Sequence, residues 1–307
     1  MEVIYWNDNA GLNQPLAATV GFFDGVHRGH RFLIGELNAL AREAGLLSAV
    51  ITFADHPQKV LSDTYNPPLL TGAKEKAALL VGLGVDYGII LPFTPQLADK
   101  TAQEFIEEFL CKQLHIKILL VGHDHRFGKG RTDGFTDYQR YGEACGMQVV
   151  QASKYGENKQ YNSTTIRSKL AEGDVKGAAE LLSHNYSIEG TVIEGDKIGR
   201  EIGFPTANIR PGNPDKLIPK AGVYAVKATV RGTTYPAMLY IGLRPTLPNS
   251  GEKRLEVHLF HFNQNIYGET ITIEFIDFIR EDIHFNNLDE LREQLEKDKT
   301  KAMAVIA

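Results

Sequence analysis

The sequence predicts an α/β domain with a parallel sheet, followed by a second domain that is mostly β and ends in a helix. In the first half, short apolar runs alternate with helix-like stretches, the pattern of a parallel sheet wrapped by crossover helices. In the second half, strand-like segments follow one another, separated by Gly, Pro or Asn. The length of 307 residues is enough for two domains of ordinary size.

Five apolar runs are the expected strands of the first domain. Two of the helix-like stretches between them open with a capping-box spacing, Thr101 with Glu104 and Thr136 with Gln139. In a capping box, each of the two side chains satisfies a backbone amide of the helix start. The expected strands are residues 17–21, 49–53, 87–91, 118–121 and 148–152.

The second domain is expected after a helical stretch at residues 175–182, which places the two domains at 1–184 and 185–307. The pattern then becomes strand-like. A helix closes the chain, because Asn287 can cap it with Glu290 three positions on. The expected strands of this domain are residues 187–194, 223–230, 235–241, 254–260 and 269–278.

Composition and charge narrow the class of protein. Hydrophobic residues make up 43% of the sequence and charged residues 23%, the balance of a globular protein. The net charge of −5 argues against the broad basic surface of nucleic-acid binders, so no nucleic-acid partner is expected. No apolar run has transmembrane length and the N-terminal residues have no basic leader, so we expect a cytoplasmic protein without a membrane partner. A homo-oligomer is left open.

The two cysteines, Cys111 and Cys145, stand in helix-like segments outside any CxxC spacing. This arrangement favours buried thiols in a reducing compartment over a disulfide or a metal site.

A strand-to-helix turn carries the first candidate site. Glycines, including Gly21 and Gly29, let an anion approach the backbone where the helix amides point outward. His27 and His30 are three residues apart at the helix start and can face one ligand. The alternative is that both histidines only cap or pack at the turn, but the HxGH spacing favours a functional site.

A second candidate segment, residues 162–167, precedes a helical stretch and contains Ser163, Thr164 and Arg167. A hydroxyl can cap the helix while donating to an anion, and the guanidinium can bind a phosphate with two hydrogen bonds. Such clusters usually do nothing beyond capping, so the segment gains weight only beside the histidines.

These two motifs together resemble the nucleotidyltransferase superfamily, and GFFDGVHRGH resembles the FMN adenylyltransferase module of bacterial FAD synthetases. Segments 52–57 and 121–131 agree. The resemblance implies a Rossmann-like sheet and in-line attack of the FMN phosphate on the α-phosphorus of ATP. It also implies catalytic roles for two residues, ATP contacts for seven others, and help from Asp124 in orienting flavin and nucleotide. The catalytic pair is His27 and His30, and the ATP contacts are Gly21, Phe22, Asp24, Gly29, Ser163, Thr164 and Arg167.

Three positions depart from that pattern. His125 stands where an aromatic residue is usual, Asp55 follows Ala54 in place of Glu-Pro, and Asp133 precedes Gly134 in the reverse of a common order. A metal site at residues 123–125 is disfavoured, since alternate residues at a strand end point to opposite faces.

A glycine-rich segment carries the third candidate site. Gly195, Gly199 and Gly203 follow an expected strand and lead to Thr206 and Asn208. The glycines are also compatible with ordinary hairpin geometry. A hydroxyl and an amide oxygen, however, are hard neutral ligands that suit a magnesium ion shared with nucleotide phosphates.

Glu256 lies on an alternating strand, with His258 on the same face. It could act as a general base toward a substrate hydroxyl. Without further context, a surface or ion-paired carboxylate is the better interpretation.

Further motifs resemble the riboflavin kinase module over residues 186–302: GRxxGFPTANI, AGVYAV, IGLRPT, LEVHLF and IYGETITIEFIDFIRED. The resemblance implies a small antiparallel β-barrel with a C-terminal helix, and an ATP loop at Gly195, Gly199 and Gly203. It also implies Mg²⁺ at Thr206 and Asn208. His261 departs from a usual Asp and is given no role.

Both resemblances occur in the order of the bifunctional bacterial FAD synthetases. That family implies phosphorylation of riboflavin, with Glu256 activating the ribityl hydroxyl, and then adenylylation of FMN to FAD, with ATP as co-substrate and Mg²⁺ as cofactor. The alternatives are a nucleotidyltransferase for another phosphorylated metabolite with a regulatory flavin-binding barrel, and a binding protein without turnover.

Overall fold

The computed structural model describes residues 1–7, 12, 14–61, 67–123, 125–156, 161–195, 199, 202–243 and 253–306. Contacts within the chain form two compact units, Met1–Tyr161 and Asn162–Ala307. None of the helices in the described ranges is both long and apolar enough to cross a membrane.

The first unit contains a six-stranded parallel sheet in the order β1-β4-β3-β2-β5-β6, which confirms the predicted α/β fold. Along the central strand β2, Leu16 and Ala18 belong to one hydrophobic core cluster and Ala17 to another. Side chains on both faces of the sheet are therefore buried, and this explains why the run is apolar except for Thr19. The short strand β1 was not predicted. The strands are β1 Glu2–Tyr5, β2 Leu16–Val20, β3 Leu47–Phe53, β4 Tyr87–Leu91, β5 Ile116–Val121 and β6 Gln148–Gln151.

Helices connect these strands. Thr101 and Glu104 form the predicted capping box, in which the backbone amide of each residue donates to the side chain of the other. The box predicted at Thr136 is wrong, because the helix begins at Phe135 and Asp137 accepts from the amide of Gly134 at 3.0 Å. The helices are α1 Arg28–Ala44, α2 Gln58–Leu61, α3 Ala73–Val81, α4 Pro95–Ala98, α5 Ala102–Glu104 continued by a π-helix at Phe105–Gln113, and α6 Phe135–Ala144.

The cysteines correct another expectation. Cys111 of the π-helix and Cys145 at the end of α6 form a disulfide, with Cα atoms 6.4 Å apart. Both side chains pack against the same core cluster, so the fold brings together residues that lie 34 positions apart in sequence. The expectation of two separate thiols was wrong, since spacing alone does not reveal which helices are neighbours.

The second unit contains the closed barrel β10-β11-β8-β7-β12-β9, as the resemblance implied. Strand β8 was not predicted, because it is short and runs directly into a Pro- and Gly-rich segment. It pairs with both β7 and β11 and thereby joins the two halves of the barrel. The strands are β7 Ser187–Ile193, β8 Ala207–Pro211, β9 Gly222–Val230, β10 Thr233–Leu243, β11 Lys253–Leu259 and β12 Thr270–Arg280.

The helices of this unit whose full length is described are α7 Ser163–Glu172, α8 Val175–Leu182 and α9 Leu288–Ile306. Asn287 caps α9, accepting from the Glu290 amide at 2.9 Å, as predicted. A buried ion pair between Arg280 of β12 and Asp298 of α9, 2.8 Å long, ties this helix to the barrel.

Candidate active sites

Two histidines stack face to face at the start of α1. The ring centroids of His27 and His30 are 3.6 Å apart. The His30 amide donates to Nδ1 of His27 at 3.3 Å, so His27 caps the helix. A Cβ at position 29 would lie 3.2 Å from the His27 ring, so Gly29 leaves the room this packing needs. His27 therefore caps the helix and at the same time stacks its ring on that of His30.

Burial keeps both rings neutral near pH 7. It lowers the pKa of His27 to about 4. Burial first, and then the nearby His27, Lys76 and His125, lower the pKa of His30 well below its ordinary value. Nδ1 of His30 is buried and finds no hydrogen-bond partner among the described residues. Since buried polar atoms are normally paired, this unpaired nitrogen is unusual for a residue that only packs at a turn.

Asp24 shapes the turn that leads to the histidines. Its carboxylate accepts from the backbone amides of Leu70 and Thr71 at 3.0 and 2.9 Å and from the Thr71 hydroxyl at 3.2 Å. Phe23 has a φ of 53° and Gly25 a φ of 79°. A positive φ is unstrained for Gly25, but for Phe23 it persists only where the surroundings hold it, and the buried carboxylate supplies that restraint.

Lys76 is a buried cation that the sequence analysis missed. Its ammonium donates to the carbonyls of Phe22 and Phe53 at 2.7 and 3.0 Å and to the Thr52 hydroxyl at 3.2 Å. It thereby joins the carboxyl ends of β2 and β3. Burial lowers the pKa of Lys76 to about 8, against the opposing effect of Asp24 and Asp55. Its position on α3, four residues before the buried Leu80, could have revealed it as a residue of the buried face.

A cavity of about 660 Å³ opens at this edge of the sheet. Its wall combines aromatic rings, which suit a planar ring system, with cationic side chains, which suit phosphate. His125 also lines it, and its pKa is lowered to about 4 by burial and by Arg131. Asp124 lies outside the described residues. The aromatic residues are Phe22, Phe53, Phe93, Phe105 and Phe127, and the cationic ones are Lys100, Arg126, Lys129 and Arg131.

The predicted phosphate segment forms the start of α7, in the second unit. The cap is Asn162, which accepts from the Thr165 amide at 2.8 Å, and not Ser163 or Thr164 as expected. Thr164 is exposed, while Ser163 and Arg167 are half-buried. The hydroxyls are therefore not needed to cap the helix.

The barrel brings a hydroxyl, an amide and a carboxylate together. Glu256 of β11 is paired with Asn208 of β8 across the sheet. The Thr206 hydroxyl donates to Oε2 of Glu256 at 3.3 Å. Arg254 donates from Nε to Oδ1 of Asn208 and lies equally close to Oε1 of Glu256, both at 2.9 Å. Sequence reasoning missed Arg254, although it stands two residues before Glu256 and so on the same strand face.

The glycine-rich segment packs directly on this cluster. A Cβ at position 195 would overlap the Asn208 amide, and one at position 199 would overlap the carbonyl of Phe204. Gly203 has a φ of 84°, which favours glycine. Beyond hairpin geometry, the first two glycines therefore have a steric reason to lack side chains.

Two cavities flank the cluster. One of about 450 Å³ is lined by Pro205, Thr206 and residues 262–267. The other, of about 690 Å³, is lined by Tyr240 and residues 282–288. Tyr240 is paired with Glu256 across β10 and β11, and its hydroxyl donates to Asp282 at 2.9 Å.

His258, predicted on the same face as Glu256, is buried and contacts the carbonyl of Pro205 through Nδ1 at 2.8 Å. Burial lowers its pKa. It therefore holds the turn before Thr206. No group of three or more His, Cys, Asp or Glu side chains in the described ranges is arranged to hold a metal ion.

The chain combines an α/β domain that has a histidine pair at a strand-to-helix turn with a barrel that gathers hydroxyl, amide and carboxylate groups. This combination is the one expected of a two-domain, nucleotide-using transferase. The FAD synthetase family model matches residues 10–166 and the riboflavin kinase model matches residues 182–306. The chain belongs to the bifunctional riboflavin kinase/FMN adenylyltransferase family.

Relatives cover the whole length. A bifunctional riboflavin kinase/FMN adenylyltransferase of Listeria monocytogenes is 38% identical over 303 residues, covering 98% of this chain and 94% of the relative. The Haemophilus influenzae protein of the same name is 39% identical over 307 residues, covering 99% of each. A crystal structure described as a macrolide-efflux protein from Streptococcus pneumoniae has a TM-score of 0.87 at 32% identity and 98% coverage of both chains. This similarity is one of fold, and the description as an efflux protein applies to the Streptococcus pneumoniae protein.

Proposed function

We propose that the barrel unit phosphorylates riboflavin to FMN and that the α/β unit adenylylates FMN to FAD, with ATP and Mg²⁺ in both steps. Family membership over the whole chain supports both activities. The observation that carries the assignment to two sites is structural. The histidine stack lies in the first unit, whereas the Thr206–Asn208–Glu256 cluster lies in the second.

In adenylyl transfer, a phosphate oxygen of FMN attacks the α-phosphorus of ATP, and the bond to the pyrophosphate oxygen breaks. Catalysis then consists of positioning and charge neutralisation. His27 and His30 act as donors to the developing charge. Both are neutral near pH 7 when buried, and a bound polyphosphate favours their protonated forms.

Other residues of this site position the nucleotide. Gly21 and Gly29 admit the triphosphate close to the backbone, while Asp24 keeps the turn in shape through its bonds to residues 70–71. Phe22 forms part of the wall of the adjoining cavity.

The start of α7 carries the residues for which the family resemblance implies phosphate contacts. Ser163, Thr164 and Arg167 remain proposed contacts of the triphosphate, and Asn162 is the residue that caps the helix. A role of Asp124 in orienting flavin and nucleotide stays a prediction.

In the kinase step, the ribityl 5′-hydroxyl attacks the γ-phosphorus of ATP, ADP leaves, and Glu256 takes the hydroxyl proton. Thr206 Oγ1 and Asn208 Oδ1 would hold Mg²⁺. These hard oxygens fit the ion, and they lie beside one carboxylate in the cluster. When bound with ATP, the metal neutralises phosphate oxygens. Gly195, Gly199 and Gly203 form the loop beside the nucleotide and leave room for these two ligands.

Each unit also offers a cavity for the flavin. The aromatic and cationic wall of the 660 Å³ cavity suits the ring and phosphate of FMN. The 690 Å³ cavity beside Tyr240 suits riboflavin, because it adjoins the strand that faces Glu256. We place the reactions in the cytoplasm, where ATP is available, with no nucleic-acid partner, given the net charge of −5.

The test is a time course with purified protein and Mg-ATP. Riboflavin should be converted to FMN and then to FAD, and FMN added alone should give FAD, as followed by chromatographic separation of the flavins. Formation of neither product would overturn the proposal. Formation of only one would restrict it to the corresponding unit.

A further inference from the structure

The Arg254 guanidinium lies between two oxygens on which the proposed kinase site depends. Its Nε is 2.9 Å from Oδ1 of Asn208 and 2.9 Å from Oε1 of Glu256. The first oxygen is the proposed metal ligand, and the second belongs to the proposed base. Neither the motifs nor the proposed reaction gives Arg254 a role.

Strand geometry explains the placement. Arg254 and Glu256 are two residues apart on β11 and share one face, and Glu256 is paired with Asn208 on the neighbouring β8. The side chains of Arg254 and Glu256 are 28% and 21% exposed. Water therefore screens this ion pair only in part.

The position of the guanidinium opposes direct binding of a metal ion. A divalent cation held by Asn208 and Glu256 would take the same oxygens that Nε contacts, and it would lie within a few ångströms of a permanent positive charge. The phosphates of a nucleotide change this balance, because they bring negative charge to the metal and offer the guanidinium an alternative partner.

We propose that Arg254 is a positioning residue that makes metal binding at the kinase site depend on nucleotide. It holds Asn208 and Glu256 toward each other and prevents these side chains from binding a divalent cation on their own. The metal then enters together with the ATP phosphates. This inference rests on the proposed roles of Asn208 and Glu256.

The test measures Mn²⁺ binding to the full-length protein without nucleotide, from the loss of the free-ion signal in electron paramagnetic resonance. Arg254→Met removes the charge and keeps an unbranched side chain. We expect its Mn²⁺ affinity to exceed that of the wild type by about tenfold or more, from the loss of a like charge a few ångströms away. The gain should disappear in the double variant Arg254→Met/Glu256→Gln, because it requires the carboxylate.

Two controls make the result decisive. Arg254→Lys keeps a cation and should bind Mn²⁺ as weakly as the wild type. If Arg254→Met does not fold, Arg254→Gln takes its place as the variant without the charge and is compared with Arg254→Lys. FAD formation from FMN reports on the other unit, so it should be unchanged in every variant. Unchanged Mn²⁺ affinity on loss of the charge, or a gain that persists without the carboxylate, would overturn the proposal.

The same proteins separate this inference from the function on which it rests. If the wild type makes no FMN from riboflavin, the kinase assignment fails. If it makes FMN, Glu256→Gln does not, and the Arg254 variants bind Mn²⁺ like the wild type, only the inference fails.

Discussion

Lys76→Met should change how the stability of the α/β unit depends on pH. The pKa of Lys76 is lowered from 10.5 to about 8 in the folded protein, so the unfolded chain binds more protons between these values. The contribution of Lys76 to the unfolding free energy therefore rises as the pH increases from about 8 to 10.5. Below pH 8 this contribution is absent. The lowered pKa corresponds to about 3 kcal/mol of unfolding free energy over that window.

The sequence contains one tryptophan, Trp6, whose ring contacts Phe109 in the first unit with centroids 5.4 Å apart. Its fluorescence therefore reports on the unfolding of this unit in urea. The unfolding free energy of the wild type relative to Lys76→Met should increase by about 2 kcal/mol between pH 7.5 and 10, since most of the titration falls in that range. Other titrating groups are common to both proteins and cancel in the difference. A difference that stays constant across this range would refute a lowered pKa for Lys76.

Three further predictions concern the sites and the barrel. His30→Ala should reduce FAD formation from FMN by at least about a hundredfold and spare FMN formation, while Glu256→Gln should do the reverse; equal loss of both activities in a folded variant would contradict two separate sites. Gly195→Ala should raise the KM for Mg-ATP in the kinase assay by about tenfold, because its Cβ displaces the Asn208 amide, the proposed metal ligand. Gly212→Ala, whose nearest contact would be an ordinary 3.5 Å, should not raise it, and equal KM values for the two variants would show that the amide is not displaced. Asp298→Ala should destabilise the barrel unit by about 1–3 kcal/mol, since it leaves the Arg280 side chain, which is 13% exposed, without its ion pair; an unchanged thermal midpoint of the barrel unit would contradict this.

The sequence predicted the elements whose pattern depends on local burial. The run at Leu16–Val20 has four apolar residues and one threonine, and every one of its side chains is buried. The helix at Val175–Leu182 has the predicted bounds. Strand β8 escaped detection because it runs into a Pro- and Gly-rich segment and its role comes from pairing with two distant strands. The disulfide was missed for a related reason, since helix packing brings its cysteines together.

The candidate sites divide in the same way. The HxGH turn and the segment from Thr206 to Asn208 are visible in the sequence because each is contiguous. In both, the candidate residues lie within a few positions of each other along the chain. Lys76 reaches the ends of two strands from a helix, and Arg254 reaches Asn208 across a strand pair. Motif reading does not predict such contacts, because they depend on register and packing.

By itself, the sequence determined the α/β and β composition of the two parts, the histidine turn and the segment that carries the proposed hydroxyl and amide ligands. Only the tertiary structure decided that Glu256 faces Asn208, that Arg254 lies between them and that a buried lysine joins the ends of β2 and β3. The physical reason is that local pattern reports which side chains are buried, whereas strand register and helix packing decide which buried groups meet.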